Sequence, residues 1–281
     1  MPKTIVITGA SDGIGAAAAR QLTQKGHTVV IVGRTLAKTQ TVAAELGADY
    51  FIADFARLDD VRRLATDLAE RYPTIDVLAN NAGGVFGDPA PTVDGFEKTF
   101  QVNHLAPFLL TTLLMPTLEH SHATVIQTAS DAARISGKLV MGDLNNTAGR
   151  SPTRAYGDAK LANILFTSEL QRRYGRRGVA AAAFHPGTVA TNFASDTSSR
   201  AMRFVYSNPL IRRLITTADG GAAQLVWLAS TTPILDWNPG TYYEKGRTAQ
   251  KVNPQVTSLA LAAELWEASA RMVSLDTAPE R

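Results

Sequence analysis

Cysteine is absent from the 281 residues, which excludes disulfides, thiol nucleophiles and cysteine-ligated zinc. No apolar run reaches the roughly 20 residues that a membrane-spanning helix needs. The richest window, 105–118, is broken by Pro107, Thr111, Thr112 and Pro116. Neither sign of charge dominates: 28 Lys and Arg face 25 Asp and Glu, for a net +3. The basic residues come as the doublets Arg172-Arg173, Arg176-Arg177 and Arg212-Arg213, without the continuous field of a nucleic-acid binder. His27, His104, His120, His122 and His185 show no ligand spacing, so no metal site is expected. Met1-Pro2-Lys3-Thr4 lacks the charged-then-apolar layout of a secretory leader, so a cytoplasmic location is the expectation. Thirteen prolines and 21 glycines are dispersed along the chain, which excludes collagen-like and linker-dominated architectures. What remains is a chain 45% hydrophobic and 19% charged, the composition of a globular protein with a large core.

Strand-like and helix-like segments alternate with regular punctuation. Short β-branched runs occur at 4–8, 28–32, 49–53, 75–79, 123–128, 179–184 and 240–243. Between and after them lie helical patterns at 13–25, 36–46, 59–72, 94–118, 154–174, 220–230 and 258–272. Runs such as Thr28-Val29-Val30-Ile31-Val32 are apolar on both faces, as strands buried in a parallel sheet are. Parallel strands need crossover helices, so the alternation predicts a doubly wound α/β sheet of about seven parallel strands with helices on both faces. No Gly-, Ser- or Pro-rich linker divides the chain, and one domain over 1–281 is expected. Segments 131–153 and 188–215 break the rhythm after strands, where open α/β sheets bind ligands; both are candidate substrate walls.

The first strand ends in Thr8-Gly9-Ala10-Ser11-Asp12-Gly13-Ile14-Gly15 and opens a helix. Three glycines there let the backbone turn tightly and approach a pyrophosphate held on helix N–H groups. Farther along, Tyr156 and Lys160 are four apart on a helical pattern and so share one face. A free phenol ionises near pH 10; a neighbouring ammonium favours the phenolate and makes tyrosine a usable acid or base. At the end of the second strand, Gly33-Arg34 sets a small neutral residue before a cationic fork suited to phosphate. An acidic residue there would favour NAD, so NADP (as NADPH) is expected and NAD disfavoured. Asp12 in the glycine loop pulls the other way.

These motifs resemble the short-chain dehydrogenase/reductase family, with its TGxxxGIG loop, over nearly the whole chain. The resemblance implies a Rossmann fold and an oxidoreductase that interconverts an alcohol and a carbonyl. Ser130, Tyr156, Lys160 and Asn103 fall at its catalytic positions. It implies Tyr156 as acid/base, Ser130 as anchor of the substrate oxygen, and Lys160 on the nicotinamide ribose. Asn103 would support a water relay behind Lys160. Cofactor contacts are implied for Gly9, Ser11, Asp12, Gly13, Ile14, Gly15, Arg34, Asp54, Phe55, Asn81, Ala82, Gly83, Pro186, Gly187, Val189 and Thr191, besides Tyr156 and Lys160. The stretches Val102-Asn103-His104-Leu105, Lys160-Leu161-Ala162-Asn163 and His185-Pro186-Gly187-Thr188 are similar to the retinol-dehydrogenase-like branch. So is the 25-residue stretch between Ser130 and Tyr156. Members of that branch often begin with a membrane anchor, whereas here the first strand starts at Thr4. The expected partner is a small, hydrophobic carbonyl or alcohol compound, not nucleic acid. A homo-oligomer paired through the helix carrying Tyr156 stays open. The alternative to catalysis is an NADP-binding sensor or scaffold of the same fold, which loss of turnover would distinguish. An extended-branch epimerase would need a C-terminal substrate domain, for which the chain leaves little room.

Overall fold

The computed structural model describes residues 1–87, 90–187 and 217–275. The apolar runs form β1 (Thr4–Thr8), β2 (Thr28–Gly33), β3 (Tyr50–Ile52), β4 (Val77–Asn80), β5 (Thr124–Thr128), β6 (Ala180–His185) and β7 (Thr241–Glu244). All seven pair in parallel, as expected. An eighth, β8 (Arg247–Thr248), returns antiparallel to β7. Its turn is Lys245-Gly246, both at positive φ (51° and 71°), the geometry a two-residue hairpin demands. The sheet order is β3-β2-β1-β4-β5-β6-β7-β8. The direction of winding reverses between β1 and β4, which opens a crevice at the carboxyl ends of the strands.

Side-chain alternation along the strands feeds two cores. Ile5, Ile7, Val29 and Ile31 pack on one face with α1 (Gly13–Gln24), α2 (Leu36–Leu46) and α9 (Ala218–Ser230). Val6, Val30 and Leu78 pack on the other with α3 (Leu58–Arg71), α5 (Ala106–Leu113), α8 (Pro152–Tyr174) and α10 (Leu259–Met272). In α1 Gly15 to Ala19 are all small and buried, so the helix packs closely against its neighbours and carries its N-terminus into the crevice. Helix α8 is buried without interruption from Ala155 to Thr167, with α10 laying Leu265 and Trp266 over it.

The helix expected over 94–118 is broken into parts. Glu97 accepts from the N–H groups of Thr99 and Phe100 at 2.9 and 2.6 Å and so starts α4 (Lys98–Phe100). Asp94 lies outside the helix and accepts from Leu58 N at the head of α3 (2.9 Å). A π-turn, Gln101–Leu105, separates α4 from α5, and α6 (Met115–His120) follows. Pro116 stands at the start of α6, where proline can lack its N–H without breaking a helical bond, whereas Pro107 follows the π-turn directly.

Segment 131–153 is not a bare loop. It holds α7 (Ala132–Ile135) and a 3-10 turn, Met141–Asp143. Distant residues pin it: Asp158 accepts from Lys138 N (2.6 Å), and Asn253 donates to Ala133 O and Gly137 O (2.8 and 2.7 Å). The arginine doublet of α8 binds within the chain. Arg172 and Arg173 both pair with the buried Glu169 (2.6 and 2.7 Å), and Arg173 also reaches Glu267 (2.6 Å). The wall expected at 188–215, with Arg212-Arg213, lies outside the described residues. Among the described residues no helix is long and apolar enough to cross a membrane, and no group of three or more His, Asp or Glu is placed to hold a metal.

Candidate active site

A cavity of about 620 Å³ runs along the carboxyl ends of the parallel strands. Every sequence-predicted site residue among those described lines it except Asn103. Val189 and Thr191 fall outside the described residues.

One end is built by the glycine loop. Gly9 and Gly13 have φ of 66° and 56°, a region costly for other residues. A Cβ at Gly9 would stand 2.7 Å from Ala82 Cα, so the β1 and β4 loops touch backbone to backbone. Asn81 ties these loops to each other and to β5: its Nδ2 donates to Thr8 O at 3.0 Å and its Oδ1 accepts from Thr128 Oγ1 at 3.3 Å. Asp12 caps α1, accepting from Gly13 N at 2.8 Å. Its second oxygen meets Lys38 Nζ at 3.3 Å. Sequence reasoning gave Lys38 no role; it stands on α2 beside Arg34 and offsets the charge of Asp12. Gly33 has a steric cause as well: a Cβ there would run into Thr39 Oγ1 and stand 2.9 Å from Ser11 Cβ. An acidic side chain has no room at this position. Asp54 and Phe55 continue this wall, with Asp54 Oδ1 accepting from Ala56 N at 3.0 Å.

At the other end, Ser130, Tyr156 and Lys160 share the cavity with Pro186 and Gly187. Ser130 Oγ accepts from Ala132 N (3.2 Å) at the head of α7. Tyr156 and Lys160 come from one face of α8, and Lys160 Nζ stands 5.5 Å from the Tyr156 ring centre. Nζ donates to Thr128 O at 2.8 Å. Burial pushes the Lys160 ammonium down to about 7, since an apolar surrounding disfavours the charged form. Asn103 stands behind this pair, fully buried. Its Nδ2 donates to Gly84 O and Thr99 O, both at 2.8 Å, and its Oδ1 accepts from Gly84 N at 3.1 Å. Between them Gly83 is obligatory: a Cβ would strike Asn103 Oδ1 and come within 3.2 Å of Lys160 Nζ.

Three further residues, Asp131, Ile135 and His185, line this end. Asp131, next to Ser130, has Oδ1 3.6 Å from His185 Nε2. Burial holds the His185 imidazole below its usual range, against the pull of Asp131 and Glu244. The sequence offered no spacing to join them; the β5–β6 register does. Ile135 on α7 stands exposed at the rim.

A helix N-terminus with glycine N–H groups, Arg34 and Lys38 can hold an elongated anion. A phenol, a hydroxyl and an ammonium at the far end can hold and protonate an oxygen. Comparison with known proteins shows the family. The model of the short chain dehydrogenase family matches residues 3–201. A candidate daunorubicin C-13 ketoreductase, DnrU, of Streptomyces sp. (strain C5) is 43% identical over 284 residues, covering 98% of this chain and 94% of that protein. Retinol dehydrogenase 13 of Homo sapiens is 32% identical over 284 residues, covering 98% and 85%. Among solved structures, an uncharacterized protein from Mycobacterium paratuberculosis aligns with a TM-score of 0.77 at 33% identity, covering 98% and 95%. A short chain dehydrogenase from Shigella flexneri 2a str. 301 in complex with NADP aligns with a TM-score of 0.62 at 26% identity, covering 81% and 90%. The chain therefore belongs to the short-chain dehydrogenase family, in its retinol-dehydrogenase-like branch, as an oxidoreductase acting between alcohols and carbonyls.

Proposed function

We propose that this protein reduces the carbonyl of a bulky apolar ketone with NADPH, with Tyr156 as the proton donor. The observation that carries the reading is the convergence of Ser130, Tyr156 and Lys160 on one end of the cavity whose other end presents Arg34 and Lys38. When bound there, the dinucleotide would supply the two electrons of the reduction as hydride. Tyr156 O–H would give its proton to the carbonyl oxygen while Ser130 holds that oxygen in place. Lys160, beside the ring, favours the phenolate that remains, and Asn103 supports proton return behind it. Residues 1–281 act as one domain in this reading.

The choice of NADPH rests on three features: Arg34, Lys38 drawing off the charge of Asp12 (3.3 Å), and the lack of room for a carboxylate at Gly33. The related NADP complex supports it. The choice of a ketone draws on the name of the 43% identical relative, and the apolar rim at Ile135 suits a hydrophobic ring system. Oxidation of NADPH and of NADH, followed with a panel of aryl ketones and polycyclic ketones, tests both parts. NADPH should be preferred by at least about tenfold in kcat/KM, and Arg34→Ala should erase most of the preference, about 1–3 kcal/mol for one charge-assisted contact. Equal use of both cofactors would remove the NADP assignment. Tight NADPH binding with no turnover on any ketone, aldehyde or alcohol would favour the sensor reading.

A further inference from the structure

The Ser130 end of the cavity carries two polar side chains that the reduction step does not use. Asp131 follows Ser130 directly, and His185 precedes Pro186 and Gly187. Asp131 stands at the head of α7, just past the end of β5, and His185 ends β6. Those strands are hydrogen-bonded neighbours, with Thr128 opposite Phe184, and their register brings the two side chains together.

Together they do not satisfy one another. His185 Nε2 stands 3.6 Å from Asp131 Oδ1, beyond hydrogen-bond length. Asp131 Oδ1 and His185 Nδ1 are buried, and among the described residues neither has a hydrogen-bond partner. The other Asp131 oxygen lies 3.9 Å from Arg134 Nη2, a loose ion pair. Buried polar atoms are paired in the great majority of cases, and a few convergent polar groups in an apolar pocket are what orient a ligand.

The chemistry of that ligand group follows from the inventory. Burial holds the His185 imidazole below its usual range, so near neutrality it carries one N–H and one lone pair. The carboxylate draws the proton to Nε2, the nitrogen that faces it. The wall thus offers one donor beside one acceptor. A hydroxyl satisfies both, accepting from Nε2–H and donating to the carboxylate. An ammonium would leave Nε2–H without an acceptor, and an anion would meet Asp131 with like charge. Consecutive Cα atoms are about 3.8 Å apart. With the carbonyl oxygen at Ser130, a hydroxyl that reaches Asp131 therefore belongs within a carbon or two of that carbonyl.

We propose that Asp131 and His185 are specificity-determining residues that bind a hydroxyl one or two carbons from the reacting carbonyl, so that the preferred substrates are apolar α- or β-hydroxyketones. This deepens the ketone reading above and rests on it. Ile135 at the rim leaves an apolar side for the body of such a substrate. Holding the substrate at two points, the carbonyl oxygen and the hydroxyl, also fixes which face of the carbonyl receives hydride, so one enantiomer of the diol should form.

Phenacyl alcohol, its methyl ether and acetophenone, each reduced with NADPH, test the α position. The ether keeps the oxygen and its electron withdrawal but has no proton for Asp131. β-Hydroxypropiophenone, its methyl ether and propiophenone test the β position in the same way. In at least one series wild type should favour the alcohol over both companions by about tenfold or more in kcat/KM, as a site built around a substrate hydroxyl does. Asp131→Ala should bring the alcohol-to-ether ratio to within about twofold of unity. The Asp131 side chain makes no capping hydrogen bond at α7, so the Tm of this variant should stay close to wild type. His185→Leu, which removes the donor while keeping an apolar side chain of similar bulk, should lower the alcohol-to-acetophenone or alcohol-to-propiophenone ratio. Both variants should reduce the enantiomeric excess of the diol. Ratios near unity in both series for wild type, with the ketones still reduced, would overturn the proposal and leave the ketone reading standing. So would a wild-type preference that survives both substitutions. No reduction of any ketone by protein that binds NADPH would remove the ketone reading and this proposal with it.

Discussion

Lys160 shows most directly how this fold strains one residue for the site. Its ammonium is almost wholly buried and has Thr128 O as hydrogen-bond partner at 2.8 Å. Burial lowers its pKa from 10.5 to about 7. Between those values the unfolded chain binds a proton that the folded chain does not, so stability rises with pH across that window. Below about pH 7 both states are protonated and the full cost of the buried charge is felt. Lys160→Met should therefore be more stable than wild type by about 1–4 kcal/mol at pH 6 while losing turnover. The gap should narrow as pH climbs toward 10, as thermal denaturation across pH would show. A variant less stable than wild type at pH 6 contradicts this account. The same scale shows what was legible beforehand. Ser130, Tyr156 and Lys160 could be found because their chemistry is tied to fixed spacing on one helix and at one strand end. Lys38, Asp131 and His185 could not, because their pairings join residues 26 and 54 positions apart through packing that local pattern does not encode.

At the scale of elements, periodicity located the strands and most helices because each has one regular face or two apolar ones. It failed over 94–118, where apolar residues continue but hydrogen bonding does not. Glu97 starts α4 there, Asp94 turns aside to the head of α3, the π-turn Gln101–Leu105 precedes Pro107, and Leu114 closes α5. Segment 131–153 failed for the opposite reason: its order comes from Asp158, Asn253 and Gln255, which are far along the chain. The most consequential contact between elements is α10 on α8. Trp266 stacks on Phe166 at 5.5 Å, meets Phe108 edge-on at 5.0 Å, and carries Arg173 over its face at 4.8 Å. Next to this cluster, buried His104 bridges Ser269 Oγ and Asn163 Oδ1 at 2.9 and 3.3 Å, and burial brings its pKa down to about 4. Trp266→Ala should cost about 3–5 kcal/mol, read by urea denaturation. Because α8 carries the site, KM for NADPH should change less than kcat. A loss below about 1 kcal/mol would show that α10 is not what secures α8.

For the whole molecule, the sheet gathers into one crevice residues from Gly9 to Gly187, with β1 and β4 meeting at its middle. The modest +3 of the chain is arranged accordingly, with Arg34 and Lys38 at one end of that crevice and the α8 arginines neutralised by Glu169 and Glu267 elsewhere. The α8 arginines thus serve internal packing, and in the proposed function Arg34 and Lys38 face the anionic dinucleotide. The central claim is that this crevice holds NADPH at one end and lets Tyr156 protonate a ketone at the other. Tyr156→Phe tests it most directly, with NADPH affinity measured by calorimetry and ketone reduction followed by NADPH oxidation in the same preparation. The account predicts an unchanged Kd and a kcat lower by about 10²–10⁴-fold, the usual worth of a general acid. A variant that binds NADPH and reduces the ketone at the wild-type rate would contradict it.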